Sequence, residues 1–159
     1  MTFEINDLLN NALLFKDVKH DLDIALKYAY MAAVLSYSPR ADVCCTIGEI
    51  YLEKKNYEWA RFWYEKALNN MNMSVDEEMV DADYYTVIPL LKLGFITHKM
   101  GDDDASEECF RAVLKVRPDD EVAKNNIAIL EKAKKEQQEI SETTENDTEK
   151  NTDEVVELA

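Results

Sequence analysis

Only a few side chains in this sequence have the type and spacing to do chemistry. Asp81-Ala82-Asp83 carries two carboxylates at a spacing that some nucleotide-sugar enzymes use to hold a divalent cation, and Gly101-Asp102-Asp103-Asp104 is a second acidic cluster. Carboxylates at such places serve more often as solvated charges or helix caps. Neither stretch has the ligand spread of a calcium loop, which runs over about twelve residues to a terminal Glu. His20 and His98 lie far apart, with no ligand-spaced Cys, His or carboxylate partner beside either. Zinc binding and a His-dependent nucleophile are therefore not expected. Cys44 and Cys45 are adjacent and do not form a Cys-x-x-Cys motif; Cys44 reads as core filler and Cys45 as a small groove residue. The chain is expected to have no catalytic residue, no metal and no cofactor.

Composition leads to the elements that must position whatever these residues do. The chain has 159 residues, the range of one domain able to bury a core. It holds only 3 Gly and 3 Pro among 47% hydrophobic and 32% charged residues, which favours long helices over many short strands. A formal charge of −15, with no Lys/Arg stripe, argues against nucleic acid and against anionic membrane surfaces. No basic segment precedes an apolar run near Met1, and no apolar stretch approaches the roughly eighteen residues of a spanning helix. Cys44, Cys45 and Cys109 are odd in number and read as free thiols of a reducing, cytoplasmic compartment.

Self-similarity is the strongest signal. Cys44-x-x-Ile47-Gly48-x-x-Tyr51 is followed by Ala60-x-x-x-Tyr64-x-x-Ala67-Leu68. A second copy reads Leu90-x-x-Leu93-Gly94, then Ser106-x-x-x-Phe110-x-x-Val113-Leu114, closing on Arg117-Pro118. Thr97 replaces Tyr and Ser106 replaces Ala in this copy. Ala25, Ala29 and Ala32 mark a degenerate first copy, whose first helix is expected from about Asp7 to Val18. The spacing resembles that of the tetratricopeptide repeat, with Cys44 where Trp often stands. The resemblance implies an all-α solenoid of helical hairpins, with repeats at about 6–39, 41–74 and 87–120. Within a pair, Gly48 and Ala60 are small so that two helices can approach, while Tyr51 and Tyr64 are expected to fill the space between successive pairs.

Pro39, Pro118 and Gly101 fall at repeat landmarks, and Pro89 falls near the start of a first helix. Between Asn72 and Val87 lie about a dozen residues beyond the thirty-four-residue period, expected to form a loop plus an extra helical turn; insertions in repeat arrays often mark the binding face. Asp119 or Asp120 can cap a final helix over about 121–140, the array's capping helix. The acidic stretch 141–159 is expected to be a disordered tail.

Two surfaces are candidates for a protein or peptide partner. First helices of such arrays line a concave groove, which here carries Asp42, Cys45, Thr46, Glu49 and Glu53, then Leu91, Lys92, Phe95, His98 and Lys99. It is mixed in charge and lacks the Lys/Asn/Arg arrangement of repeat domains that clamp acidic chaperone C-termini. The other is the cluster Tyr57, Trp59, Phe62, Trp63 and Tyr64, more aromatics than one buried helix stripe can hide. Either Tyr84 and Tyr85 of the insertion fold back over it, or it meets a partner or a second copy of the chain.

Ser38-Pro39-Arg40-Ala41-Asp42-Val43-Cys44-Cys45, Phe62-Trp63-Tyr64-Glu65-Lys66-Ala67-Leu68 and Asp83-Tyr84-Tyr85-Thr86-Val87-Ile88-Pro89 also resemble the helical repeat region C-terminal to the catalytic domain of a group of bacterial family-2 glycosyltransferases. Those enzymes place sugar transfer on an upstream α/β domain, for which this sequence has neither strands nor room. What the resemblance implies is an accessory or oligomerisation module beside a separate transferase, with Asp81 and Asp83 not metal ligands. The first reading remains a non-catalytic protein–protein interaction module. The helix-contact assignment is testable through Ala60→Leu, which should cost about 1–3 kcal/mol by overpacking; an unchanged melting midpoint would remove Ala60 from the contact.

Overall fold

The computed structural model describes residues 2–35, 38–69 and 81–153, with side chains over 4–35, 38–69 and 81–140. Seven α-helices and no strand occur among the described residues: α1 Thr2–Leu13, α2 Leu22–Val34, α3 Ala41–Glu53, α4 Tyr57–Asn69, α5 Val87–Lys99, α6 Asp103–Val116 and α7 Glu121–Asp153. A π-helical turn, Leu14–Val18, extends α1, and a 3-10 helix, Ala82–Tyr85, precedes α5. The helices form three antiparallel pairs, α1 with α2, α3 with α4 and α5 with α6. Each second helix packs on the first helix of the next pair, and α6 packs on α7. This is the all-α helical-hairpin solenoid with a final capping helix that the repeat spacing implied.

The pairs close where a ring meets a glycine. A methyl carbon at Gly48 would stand 2.9 Å from the Tyr64 ring, and one at Gly94 2.7 Å from the Phe110 ring. Both rings are almost fully buried. Tyr64 therefore lies against its own pair, whereas Tyr51 does reach across pairs, its hydroxyl 2.9 Å from that of Tyr30. Ala60 and Ser106 are fully buried, and Ser106 uses its extra oxygen to donate to the Gly94 carbonyl at 2.7 Å. Thr97 likewise satisfies its hydroxyl locally, on the Leu93 carbonyl at 2.8 Å. The two substitutions in the third pair thus bury no unpaired hydroxyl, which would otherwise cost about 1–3 kcal/mol each.

All three hairpins turn in the same way. His20, Lys55 and Gly101 have left-handed backbones, with φ of 54°, 57° and 86°. The next residue in each is an Asx cap: Asp21 accepts from Ile24 N, Asn56 from Trp59 N and Asp102 from Ala105 N. Asn56 N donates to Tyr51 O and Asp102 N to Thr97 O, five residues back in both, but Asp21 N reaches Phe15 O, six back. The first hairpin holds one extra residue, and the π-helical turn absorbs it. Ala12, fully buried, consequently takes the close-contact place of Gly48 and Gly94, while Leu13 faces out.

Pro89 sits in the first turn of α5, where its missing N–H breaks no helix bond. Asp120 caps α7, accepting from Ala123 N at 2.9 Å. Residues 70–80, most of the expected insertion loop, lie outside the described residues, and its last turn is the 3-10 helix. The capping helix does not end near 140. α7 continues to Asp153 through residues expected to be disordered, because no Gly or Pro follows Pro118 to stop it. Residues 154–159 lie outside the described residues.

The ring-on-glycine contact predicts that Gly94→Ala loses about 1–3 kcal/mol in urea unfolding. Combining it with Phe110→Leu should recover part of that loss, a coupling of about 0.5 kcal/mol or more. Strict additivity of the two changes would mean that the ring and the glycine do not press on each other.

Candidate functional site

The charges on the face expected to form the groove are largely spent on one another. Lys16, in the π-helical turn, is buried with its Nζ 2.8 Å from Asp17, 3.1 Å from Glu49 and 3.4 Å from Glu53. Burial alone would lower its pKa; hydrogen bonds to Asp17 and Glu49 outweigh that and hold the ammonium above its ordinary value. Lys92 reaches the other oxygen of Glu49 at 3.6 Å. Glu49 is therefore shared between the first pair and the third. Arg40, also buried, holds Asp42 and donates to Asn6 Oδ1 at 2.9 Å, which ties α3 to α1. A buried cation of this kind is tolerable only with such partners.

The groove residues expected from the sequence divide accordingly. Cys45 and Thr46 are not open to a partner: Thr46 donates to the Asp42 carbonyl at 2.8 Å, and Cys45 Sγ lies 3.6 Å from the Tyr84 carbonyl. The 3-10 helix covers that part of α3. Burial, with Asp42, Cys45 and Glu49 nearby, pushes the Tyr84 hydroxyl pKa up. Burial also raises the thiols, Cys44 to about 12, so both adjacent cysteines are inert at neutral pH. Leu91 is half-buried. Phe95 is 43% exposed with Lys99 Nζ 5.4 Å over its ring, and His98 Nδ1 lies 2.6 Å from Asp103. Asp83, one of the paired carboxylates, clamps Arg117 at 2.6 Å instead of facing Asp81. Among the described residues no group of three or more His, Cys, Asp or Glu could hold a metal ion.

The outer face offers the opposite arrangement. Tyr51 stacks on Trp59 at 6.0 Å between centroids, and Trp59 meets Phe62 edge-on at 5.6 Å. Phe62 meets Trp63 at 5.5 Å, and Trp63 meets Tyr30 at 5.6 Å. The Tyr30 and Tyr51 hydroxyls close the circuit. Burial, then the Tyr51 hydroxyl, pushes the Tyr30 pKa up to about 12. Five rings from α2, α3 and α4 thus form one closed set, and each pair adds about 0.5–1.5 kcal/mol beyond its buried area. Trp63 is buried and Tyr57 half-buried, but Trp59 is 49% exposed and Phe62 47%. Tyr84 and Tyr85 pack against the core of the first two pairs and leave those two rings open to solvent. Sequence reasoning found α4's part of this circuit but missed Tyr30 and Tyr51, which no local spacing connects to it.

The architecture defines an α-solenoid of helical hairpins. Tetratricopeptide repeat models match residues 41–71 and 89–120, the second and third pairs, so the chain carries tetratricopeptide repeats. Two crystal structures of MamA share the fold. One is 18% identical with a TM-score of 0.66, over 95% of this chain and 80% of that one. The other is 19% identical with a TM-score of 0.65, over 98% and 78%. No curated protein matches the sequence. Nothing in these matches bears on a glycosyltransferase. No helix among the described residues is long and apolar enough to cross a membrane.

The exposure difference between the two indoles is measurable directly. Acrylamide quenching of the native chain should show one accessible and one protected tryptophan, and Trp59→Phe should leave only the protected component. Two equally quenched indoles would contradict the closed circuit.

Proposed function

We propose that this chain is a non-catalytic protein–protein interaction module whose contact surface is the outer aromatic face around Trp59 and Phe62. The observation that carries this reading is the contrast between the two faces. In the groove, Asp42, Glu49 and Glu53 are already paired with Arg40, Lys16 and Lys92, so a peptide would have to displace internal partners before gaining its own. On the outer face, two large rings are held by their neighbours and half-open to solvent. Rigid aromatic anchors lose little conformational entropy on binding, and Trp is prominent among residues that dominate interface energies.

The free thiols, Cys44 and Cys45 buried and Cys109 half-buried, suit a reducing, cytoplasmic setting. The partner supported by this surface is a protein with a complementary apolar patch. Capture from the native host with the wild-type chain, compared with Trp59→Ala/Phe62→Ala, tests it. Loss of one such ring should cost about 2 kcal/mol of binding, roughly thirty-fold in Kd. The helical circular dichroism should stay unchanged. If the double variant recovers the same partners as wild type while Phe95→Ala/Lys99→Ala loses them, the groove is the contact surface and this reading fails.

A further inference from the structure

The regular register runs past the third pair and then breaks. Val87 to Glu121 is one period of about thirty-four residues. Continuing it puts Ala128 where Gly94 stands, and Lys135-Glu136 where Gly101-Asp102 turns the third hairpin. Lys135-Glu136 has neither the left-handed Gly nor the Asx cap, so α7 runs straight on. The places of Ser106 and Phe110 would fall to Ile140 and Thr144, which supply no ring. α7 is thus a first helix with no second helix folded against it among the described residues.

The surface left open matches that position. In α3 and α5 the close-contact glycine is buried under a ring, whereas Ala128 is exposed. Beside it, between α6 and α7, lies a cleft of about 510 Å³ with Leu114, Ile127 and Ala128 among its lining residues. Leu114 corresponds to Leu68 of α4, forty-six residues earlier; both are half-buried, each against a core cluster. In the preceding repeat, Cys109 of α6 packs against the core cluster to which Ala60, Trp63, Tyr64 and Ala67 of α4 belong. The cleft is the place where the next second helix would lie.

Charge says what would lie there. In a chain of net charge −15, the cleft is lined by three cations, Arg111, Lys115 and Lys124, against the single carboxylate of Glu131. Arg111 divides itself between Glu107 and Glu131, and Lys124 pairs with Glu121 at 2.9 Å. Lys115 has no ion pair among the described residues. Between Ser141 and Asp153 the chain's own continuation is acidic and has no large apolar residue; Val155, Val156 and Leu158 follow only after Asp153.

We propose that the α6–α7 cleft receives an amphipathic helix from a partner protein, with a small residue four positions ahead of an aromatic ring and acidic residues on its flanks. A ring would lie over Ala128 in the place that Tyr64 takes over Gly48, set back by the alanine's methyl group, and the acidic flank would meet Lys115. This rests on the chain being an interaction module but uses a face separate from the aromatic one.

A fluorescent peptide copying α4, Tyr57–Asn69, with Arg61→Glu and Lys66→Glu, provides the probe. Fluorescence anisotropy against the full chain should show saturable binding that weakens by about ten-fold or more with Ala128→Arg or Lys115→Glu in the chain, or Tyr64→Ala in the peptide. Arg is a good helix former at an exposed position, so Ala128→Arg should keep the wild-type circular dichroism. Absence of binding, or binding indifferent to Ala128→Arg, overturns the proposal. Binding lost only with Trp59→Ala moves the peptide to the aromatic face and also overturns it, leaving the interaction-module reading intact. A concentration-dependent dimer in light scattering that Ala128→Arg dissolves would seat a second copy in the cleft, against a partner's helix.

Discussion

The contact of a ring with a glycine backbone is the constraint on which this molecule depends. Tyr64 on Gly48 and Phe110 on Gly94 fix how near two helices come and at what rotation. The faces left over for the groove and for solvent follow from that rotation. Because each pair contacts chiefly its neighbours, an error in one closure propagates as a change of pitch rather than as local disorder. The first pair solves the same problem with Ala12 and a run of buried alanines, Ala25, Ala29 and Ala32.

Once the pairs are closed, the distribution of charge on the two sides follows. Carboxylates on α3 project where Arg40 and cations from the π-helical turn and α5 can reach them, and the groove neutralises itself. On the other side, α4 presents more aromatic surface than its neighbours can cover. The result is one face satisfied internally and one face incompletely covered, an asymmetry that hydrophobic content alone would not reveal.

The pairs between Ala41 and Asp120 were legible in the sequence because their landmarks are local. Gly48, Ala60 and Tyr64 act through spacing within one hairpin, and Gly101 marks the turn of the third. What was not legible depends on distant residues. Cys45 and Thr46 have the positions of groove residues, but the 3-10 helix lies over them, and nothing in α3 records that. The extra residue before His20 shifts the first close contact from the expected register onto Ala12, and only the backbone bond from Asp21 to Phe15 exposes the shift. The run of α7 to Asp153 follows from the absence of any Gly or Pro after Pro118, a signal that acidic composition masks.

The bridging carboxylate of Glu49 has a mechanical consequence. Its two oxygens are reached by cations from the pairs on either side, so one side chain links three consecutive helix pairs. A spring is as stiff as its cross-ties. Lys16 sits beneath the surface, where mobile ions screen poorly, so its link should hold in salt while the more exposed Lys92 link loosens. The coil would then be firm at its N-terminal end and compliant toward its C-terminal end, with elasticity graded along one molecule.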